Sequence, residues 1–271
     1  MERQIGFLGG GAMAEAIISG ITAAGLLAPH KIFVYEPNTA KAAALHDKYG
    51  VLPCRDAQEL LQSCNVLLLA VKPQIFPVAV TPAITAAVSQ DTLIVSIMGS
   101  VTIKQLKDKF TKNRIIRTMP NTPLAVSAGM TAIAPASEAT AEDISLVQRI
   151  FDACGQTAVV TESQIEAITA LSGCGPGYVF MLIDALADAG VSAGLTRDMS
   201  IQLAAQTFLG SGKMVLETGE HPCVLRDKVT SPGGTTIAGI RMLEQCGVRS
   251  AFIESVHAVI KRSQEIINEK K

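Results

Sequence analysis

The chain contains no tryptophan, and aromatic residues make up only 4% of it. Any core must therefore be aliphatic, and the 48% hydrophobic content is enough to build one. Neither sign of charge is in excess. Lys and Arg number 23, Asp and Glu number 24, and the formal net charge is −1. This excludes the broad basic face that nucleic acid requires, so no nucleic-acid partner is expected. No run of about 18 apolar residues occurs, so no membrane-spanning helix and no membrane partner are expected. The apolar run from Val66 to Val71 is ended by Lys72 and Pro73. The N-terminal MERQIGFLGGG lacks a basic stretch followed by a long apolar one, so no signal peptide is read and a cytoplasmic location is expected. The six cysteines (54, 64, 154, 174, 223 and 246) are scattered, with no C-x-x-C pair and no histidine at metal spacing. Reduced thiols and no metal site follow.

The hydrophobic pattern changes character along the 271 residues. In the first part, strand-like runs at 5–8, 32–35, 65–70, 93–97, 114–117, 130–134 and 157–160 alternate with helix-like stretches at 12–24, 40–49, 102–110 and 141–153. That alternation predicts a parallel sheet covered by helices on both faces. From Ser163 onward no strand is read. Ser163 and Glu166 have the spacing of a capping box, and SGCGPG is expected to break the helix that follows. Further helices are expected at 178–193, with Thr196 as the next N-cap, then at 197–217, 235–245 and 249–270; only the terminal Glu-Lys-Lys looks loose. The fold class is thus α/β, a Rossmann-like dinucleotide-binding domain over 1–162 followed by an all-helical domain over 163–271.

The first strand runs into IGFLGGGAMAEAI, where Gly9, Gly11 and Ala14 form a G-x-G-x-x-A fingerprint that opens a helix. Gly9 serves the tight turn, Gly11 lets backbone approach a pyrophosphate, and Ala14 permits close helix–strand packing. An acid ending the second strand would hold the ribose hydroxyls, and Glu36 stands there. Its carboxylate favours NADH, whereas Asn38, Thr39 and Lys41 can accommodate the extra phosphate of NADPH; both cofactors stay open. AVKPQ (70–74) and SIMGS (96–100) end the third and fourth strands and should flank the nicotinamide ribose. Lys72 is either a charged contact there or a surface residue before a proline turn, and Asn121, in RTMPNTP, is either a turn former or a polar pocket residue.

None of the four histidines offers an evident catalytic acid. His30, His46 and His257 read as structural, and His221 precedes Pro222 in an expected loop. The informative segment is TSPGGTTIAG, beginning at Thr230. Gly233 and Gly234 leave backbone N–H groups exposed at a helix start, an anion site suited to a carboxylate, and Thr235 and Thr236 add hydroxyls in the first turn. The alternative is an ordinary helix start capped by Ser231 or Thr235, which leaves the Pro-Gly-Gly and paired threonines without a purpose.

DKVTSPGGTTIAGIRMLE resembles the signature of the pyrroline-5-carboxylate reductase family. FLGGGAMAEAIISG, LLLAVKPQ, IRTMPNTP, ALSGCGPGYVF and DALADAGVSAGL match that family in the same order, nearly end to end. The resemblance implies NAD(P)H-dependent reduction of the cyclic imine 1-pyrroline-5-carboxylate to L-proline. It places dinucleotide contacts at Leu8, Gly9, Gly10, Gly11, Ala12 and Met13, at Ala70, Val71, Lys72 and Pro73, and at Ile97, Met98 and Gly99. Ser231, Gly233, Gly234 and Thr235 would serve the substrate carboxylate, and Thr236 would reach the imine nitrogen as the catalytic residue. Some members have a glutamate just before an E-H-P segment that contacts the substrate amine; here, in TGEHP, Gly219 occupies that place, and the substrate-binding role carries over to Glu220 only at an offset of one position. Glu36 departs from members with small polar residues there.

Two other readings fit the residues less well. A β-hydroxyacid dehydrogenase places a lysine four residues after a glycine cluster, but that position holds Met181. A non-catalytic dinucleotide sensor has no need of the SPGGTT segment. The helical half carries Leu182, Ile183, Leu186, Ile201, Leu203, Phe208, Leu209, Val215 and Leu216, whose apolar faces need cover. The resemblance implies an interlocked homodimer, with larger assemblies built of dimers also known in the family.

Overall fold

A computed structural model describes residues 3–269. The chain forms two compact units. One comprises the residues up to Gly173 together with those from Ile260 onward, and the other is Cys174–Val259.

The first unit begins β1 (Ile5–Leu8), α1 (Ala12–Ala23), β2 (Ile32–Tyr35), α2 (Thr39–Tyr49), β3 (Leu52–Pro53), α3 (Ala57–Ser63) and β4 (Val66–Leu69). Two single-turn helices, α4 (Phe76–Ala79) and α5 (Pro82–Ala87), lead to β5 (Leu93–Ser96), α6 (Ile103–Lys107) and β6 (Ile115–Met119). Then come β7 (Gly129–Pro135), α7 (Ala141–Asp152), β8 (Gly155–Val159) and α8 (Ile165–Ile168). All eight strands join one sheet in the order β3-β2-β1-β4-β5-β6-β7-β8. The first six are parallel, with the strand order of a dinucleotide-binding fold.

One expectation is corrected here: β7 runs antiparallel to β6. Only residues 120–128 join them, too few for the crossover of a dozen or more residues that a parallel neighbour requires. The α7 crossover then brings β8 back parallel to β7. In this unit β3, α3, α4 and α5 were not expected, all of them short. The two-residue β3 offers no alternation to read, and α3 is barely two turns long.

The central strands are buried on both faces, so alternate side chains feed two cores. Phe7, Val66, Leu68 and Val95 point to the side covered by α1 and α7, where Ile17, Ile21, Val147 and Phe151 meet them. Leu8, Leu67, Leu69 and Ile94 point to the other side, against Leu60, Leu106 and Phe110. No tryptophan is needed to fill either layer.

The end of this unit differs from the sequence reading. The helix start uses Thr161 as its cap, with Gln164 returning the capping-box bond, rather than Ser163 and Glu166. The SGCGPG segment ends that helical run as expected: the run closes at Gly173, and Cys174 is the N-cap of the next helix. A π turn over Thr169–Gly173 takes up the irregularity, and Pro176 falls in the first turn of α9 (Gly175–Ser192), where it removes no helical bond.

The second unit is helical. After α9 come α10 (Arg197–Thr218), capped by Thr196 as expected, then α11 (Pro222–Lys228), α12 (Thr235–Gln245) and α13 (Val248–Glu269), which continues into the first unit from Ile260. Of the loose terminal tripeptide, Lys270 and Lys271 lie outside the described residues. Helix α11 stands where a loop was expected: His221 caps it by accepting the Cys223 N–H at 3.2 Å, and Pro222 occupies its first turn. Little of this unit is covered. Leu203, Leu209 and Leu216 on α10 are all exposed, as is Leu186 on α9. Among the described residues, one helical stretch, Glu162–Ser192, is long and apolar enough by length and composition to cross a membrane. The sequence shows no such run because charged and small residues interrupt it. Its first turns hold ion pairs to the sheet, described below.

One buried polar contact offers a test of how the sheet is held. Asp143 is 2% exposed and accepts bonds from the Thr140 N–H (3.0 Å), the Thr140 hydroxyl (2.8 Å) and Arg114 Nε (2.7 Å). Burial raises its carboxyl pKa, but the Thr140 and Arg114 bonds outweigh burial and leave it below the ordinary value. A depressed pKa contributes stability above the unfolded value of about 3.9 and loses it as pH falls through the folded value. Asp143→Asn should therefore cost about 1–3 kcal/mol at neutral pH. Denaturant titrations should show that gap shrinking below about pH 4, and a gap independent of pH would contradict the assignment.

Candidate active site

The parallel register makes the strand ends level. Leu8 pairs with Tyr35 on one side and Leu69 on the other, and Leu69 pairs with Ser96. Sheet order reverses between β1 and β4, and beyond their carboxyl ends lies a cavity of about 540 Å³. Leu8, Gly9, Gly11, Glu36, Lys41, Ala70, Val71 and Lys72 line it. This is the place where open α/β sheets bind ligands.

The turn at its mouth is tightly specified. Gly9 has φ +105° and donates its N–H to the Tyr35 carbonyl at 2.9 Å. A Cβ at Gly9 would lie 2.7 Å from the Ala70 carbonyl oxygen, so only glycine fits between β1 and the end of β4. Gly11 is the opposite case. It is the N-cap of α1, no side chain caps it, and a Cβ there would meet nothing within 4 Å. The open space lies in front of a helix N-terminus, as the pyrophosphate of a dinucleotide requires. Ala14, 1% exposed, packs α1 against the sheet.

Glu36 does not hang free. Its carboxylate accepts the Gly10 N–H at 2.9 Å and the Asn38 N–H at 3.1 Å. It therefore braces the glycine turn while still lining the cavity, with Lys41 nearby on the same wall. The remaining predicted cofactor residues divide. Ala12 lies in an adjoining cavity of about 300 Å³ with Gly10 and Lys41. Met13 and Ile97 pack against one core and Met98 is buried in the other. Pro73 lines a further cavity of about 460 Å³, beside Gln74 and Ser100. Asn121 uses both ends of its amide inside the protein. Its Nδ2 donates to the Ser172 carbonyl at 3.0 Å, and its Oδ1 accepts the Met130 N–H at 2.8 Å.

Gly99 leads to a residue that sequence reading passed over. Its carbonyl accepts a bond from Arg117 Nη2, and Arg117, in the middle of β6, is only 1% exposed. The same guanidinium bonds Glu162 and Glu166, each at 3.2 Å. A charged residue inside the apolar strand IIRTM was the available signal.

In the second unit, α12 starts at Gly234 with no side-chain cap. Neither Ser231 nor Thr235 caps it, so the ordinary-cap alternative is not what the structure shows. Gly234 gives its own N–H to the Ser231 carbonyl at 3.0 Å. This differs from the expectation that it would be free. The amides without intrahelical partners are those that follow, from Thr235 onward. Gly233 takes φ +67°, which makes the sharp entry to the helix. Ser231, Thr235 and Thr236 are exposed. Glu220 is paired with Lys228, whose Nζ lies 2.6 and 2.7 Å from its two oxygens.

Other chemistries find no foothold among the described residues. No group of three or more His, Cys, Asp or Glu could hold a metal. Burial pushes the Cys64 thiol up to about 12, and the Cys54 and Cys154 thiols up to about 11, so all three stay protonated at neutral pH. His46 bonds the Val51 carbonyl at 2.8 Å, and His221 is a helix cap.

Comparison with known proteins gives the following. Residues 162–266 match the family model described as pyrroline-5-carboxylate reductase dimerisation, and residues 4–100 match one described as NADP oxidoreductase coenzyme F420-dependent. The chain is 45% identical to the pyrroline-5-carboxylate reductase of Escherichia coli (strain K12), over 98% of this chain and 99% of that protein. The structure of a pyrroline-5-carboxylate reductase from Coxiella burnetii superposes with a TM-score of 0.91 at 35% identity, covering 97% of this chain and 98% of that one. The crystal structure of Plasmodium falciparum pyrroline carboxylate reductase with NADP bound superposes with a TM-score of 0.87 at 31% identity, covering 98% of each chain.

The two glycines should respond differently to a side chain. Gly11→Val should fold with stability within about 0.5 kcal/mol of the parent and lose dinucleotide affinity by at least about tenfold. Gly9→Ala should lose about 1–3 kcal/mol of stability as well, because its Cβ meets fixed backbone. Thermal melts beside nucleotide titrations separate the two; a Gly11→Val protein that still binds dinucleotide normally would contradict the geometry.

Proposed function

The chain belongs to the pyrroline-5-carboxylate reductase family, and from that premise we propose how its own residues carry the reaction. The enzyme reduces the cyclic imine of 1-pyrroline-5-carboxylate to L-proline with NADH or NADPH, the last step of proline synthesis. Residues 1–162 hold the dinucleotide, and residues 163–271 hold the substrate and form the dimer. The observation that carries this reading is the uncapped start of α12 at Gly234, followed by two exposed threonines. An uncapped helix N-terminus suits a carboxylate, and a hydroxyl one position further on suits the ring nitrogen beside it.

When bound, the reduced nicotinamide supplies a hydride to the imine carbon. The chain positions and neutralises charge around that transfer. The Gly11 turn and the α1 N-terminus take the pyrophosphate, and the Ala70–Pro73 and Ile97–Gly99 segments flank the ribose. The backbone N–H groups from Thr235 onward grip the substrate carboxylate, and the Thr236 hydroxyl holds the imine nitrogen. A protonated imine is already electrophilic, and the product amine keeps that proton, so no side-chain acid is required. Positioning supplies the rate: the imine carbon must come within about 3–3.5 Å of the donor. Glu220 stays with Lys228 and shapes the approach rather than contacting the amine. Asn121 holds its loop.

Glu36 sets the cofactor. Anchored by two N–H groups, its carboxylate cannot swing away from an added 2′-phosphate, and two unit charges at about 4 Å repel by roughly 1–4 kcal/mol in wet surroundings. NADH is therefore the better donor, and Lys41 keeps NADPH usable. The exposed leucines of α10 are covered by a second copy of the chain, giving a homodimer; assemblies of dimers extend the same surface.

Loss of reduced-nicotinamide absorbance on mixing with pyrroline-5-carboxylate tests the reading, with NADH and NADPH run in parallel. Turnover with both is expected, faster with NADH. Thr236→Ala should lower kcat by about tenfold, roughly 1.4 kcal/mol of transition-state stabilisation, with an unchanged melt. Glu36→Thr should raise the NADPH-to-NADH ratio of kcat/KM by about tenfold. A fully active Thr236→Ala protein removes Thr236 from the mechanism, and an unmoved ratio removes Glu36 from selectivity.

A further inference from the structure

The segment from Ile97 to Thr102 leaves the carboxyl end of β5, lines the 460 Å³ cavity at Ser100 and Val101, and enters α6 at Ile103. It is held at two points by one ion pair. At Gly99, the carbonyl accepts from Arg117 Nη2. At Ile103, the first residue of α6, the N–H donates to Glu162 Oε1 at 2.6 Å. Arg117 and Glu162 are themselves paired, Nη1 to Oε1, at 3.2 Å. A single carboxylate oxygen thus accepts from both the loop and the arginine, and the arginine closes the circuit at the other end of the loop.

The guanidinium is well suited to this. Its rigid planar fork holds a carbonyl and two carboxylates in fixed directions, which the rotatable ammonium of a lysine does not. It is almost wholly buried, and its Nε has no partner. Leaving a buried N–H unmatched is unfavourable. The three bonds to Gly99, Glu162 and Glu166 therefore dictate where the side chain sits, at the expense of complete solvation. Glu166 in turn accepts from Ser263 on α13, so the node also ties the sheet to the C-terminal helix.

The geometry points to Arg117 and Glu162 as positioning residues for hydride transfer. Their clamp fixes the loop after β5, and through it the nicotinamide end of the dinucleotide, while the adenine end is held separately by the Gly9–Gly11 turn and Glu36. This inference rests on the reductase reading above. It goes beyond it by assigning the orientation of the reacting half of the cofactor to residues that touch neither cofactor nor substrate.

Arg117→Met and Glu162→Gln in the full-length enzyme test it. Removing the arginine does not strand its partners in a dry interior, because the Glu162 and Glu166 side chains are 35% and 20% exposed and can take water. Two quantities are measured: kcat at saturating NADH, and the ratio of NADH affinity to ADP-ribose affinity, since ADP-ribose lacks the nicotinamide ring. Arg117→Met should lower kcat by on the order of a hundredfold, as a displaced reactant does. ADP-ribose affinity should stay within about twofold of the parent while NADH affinity falls by about tenfold. Glu162→Gln should move both quantities in the same direction by less, and it decides the matter if Arg117→Met does not fold. Parallel loss of ADP-ribose and NADH binding would mark the pair as merely structural and overturn the proposal. So would a kcat within about twofold of the parent. A parent enzyme that does not reduce pyrroline-5-carboxylate removes the reductase reading instead, and the affinity ratio alone then decides the clamp.

Discussion

The contact on which the site depends is the approach of the Gly9 backbone to the Ala70 carbonyl. Parallel pairing sets Leu8 level with Leu69, so the two chains leave the sheet side by side. A side chain at Gly9 would have to occupy the space of the Ala70 carbonyl. Because that space is closed, the chain turns sharply and opens α1 directly over the sheet end. The Gly9 N–H then reaches Tyr35, and the Gly10 N–H reaches Glu36, so β2 is drawn into the same corner. The cavity, the bare helix N-terminus and the placement of Glu36 all follow from one forbidden Cβ.

The chemistry divides between two kinds of helix start. At α1 and at α12, a glycine stands at the N-cap without a side-chain bond. Several other helices have filled caps: Asn38, Asp56, Thr140 and Thr196 each accept a first-turn N–H. A helix with a filled cap has satisfied one of its orphan donors, whereas an empty one keeps its donors for a ligand. The two empty starts named here carry glycine motifs by which the chain resembles the reductase family, and the proposal gives the first to the dinucleotide and the second to the substrate carboxylate.

Much of this was legible in the sequence because it rests on local rules. The strand–glycine–helix fingerprint declares itself over a dozen residues, and TSPGGTTIAG stands out because no capping need explains it. The antiparallel return of β7 was less visible, since it is set by the shortness of a connection and not by the strand's own residues. The break at SGCGPG was legible because glycine and proline punctuate helices, and the proline stands in the first turn of α9; the π turn over Thr169–Gly173 before it has no such local mark. Arg117 was hidden for a different reason. Its partners lie 45 and 49 positions away in sequence, and nothing local marks a guanidinium as buried and shared. Glu166, read as part of a cap, is one of those partners.

The central claim is that this chain delivers a hydride from its reduced cofactor to the imine carbon of pyrroline-5-carboxylate in one fixed geometry. Isotope tracing tests it most directly. The enzyme would be given reduced nicotinamide cofactor carrying deuterium at both C4 positions in ordinary water, and the proline formed would be analysed by mass spectrometry and NMR. The account predicts one deuterium per proline, at the ring carbon that had been the imine carbon, with a single stereochemistry. Unlabelled proline, or label scattered over both faces of that carbon, would contradict a hydride transfer held in one geometry.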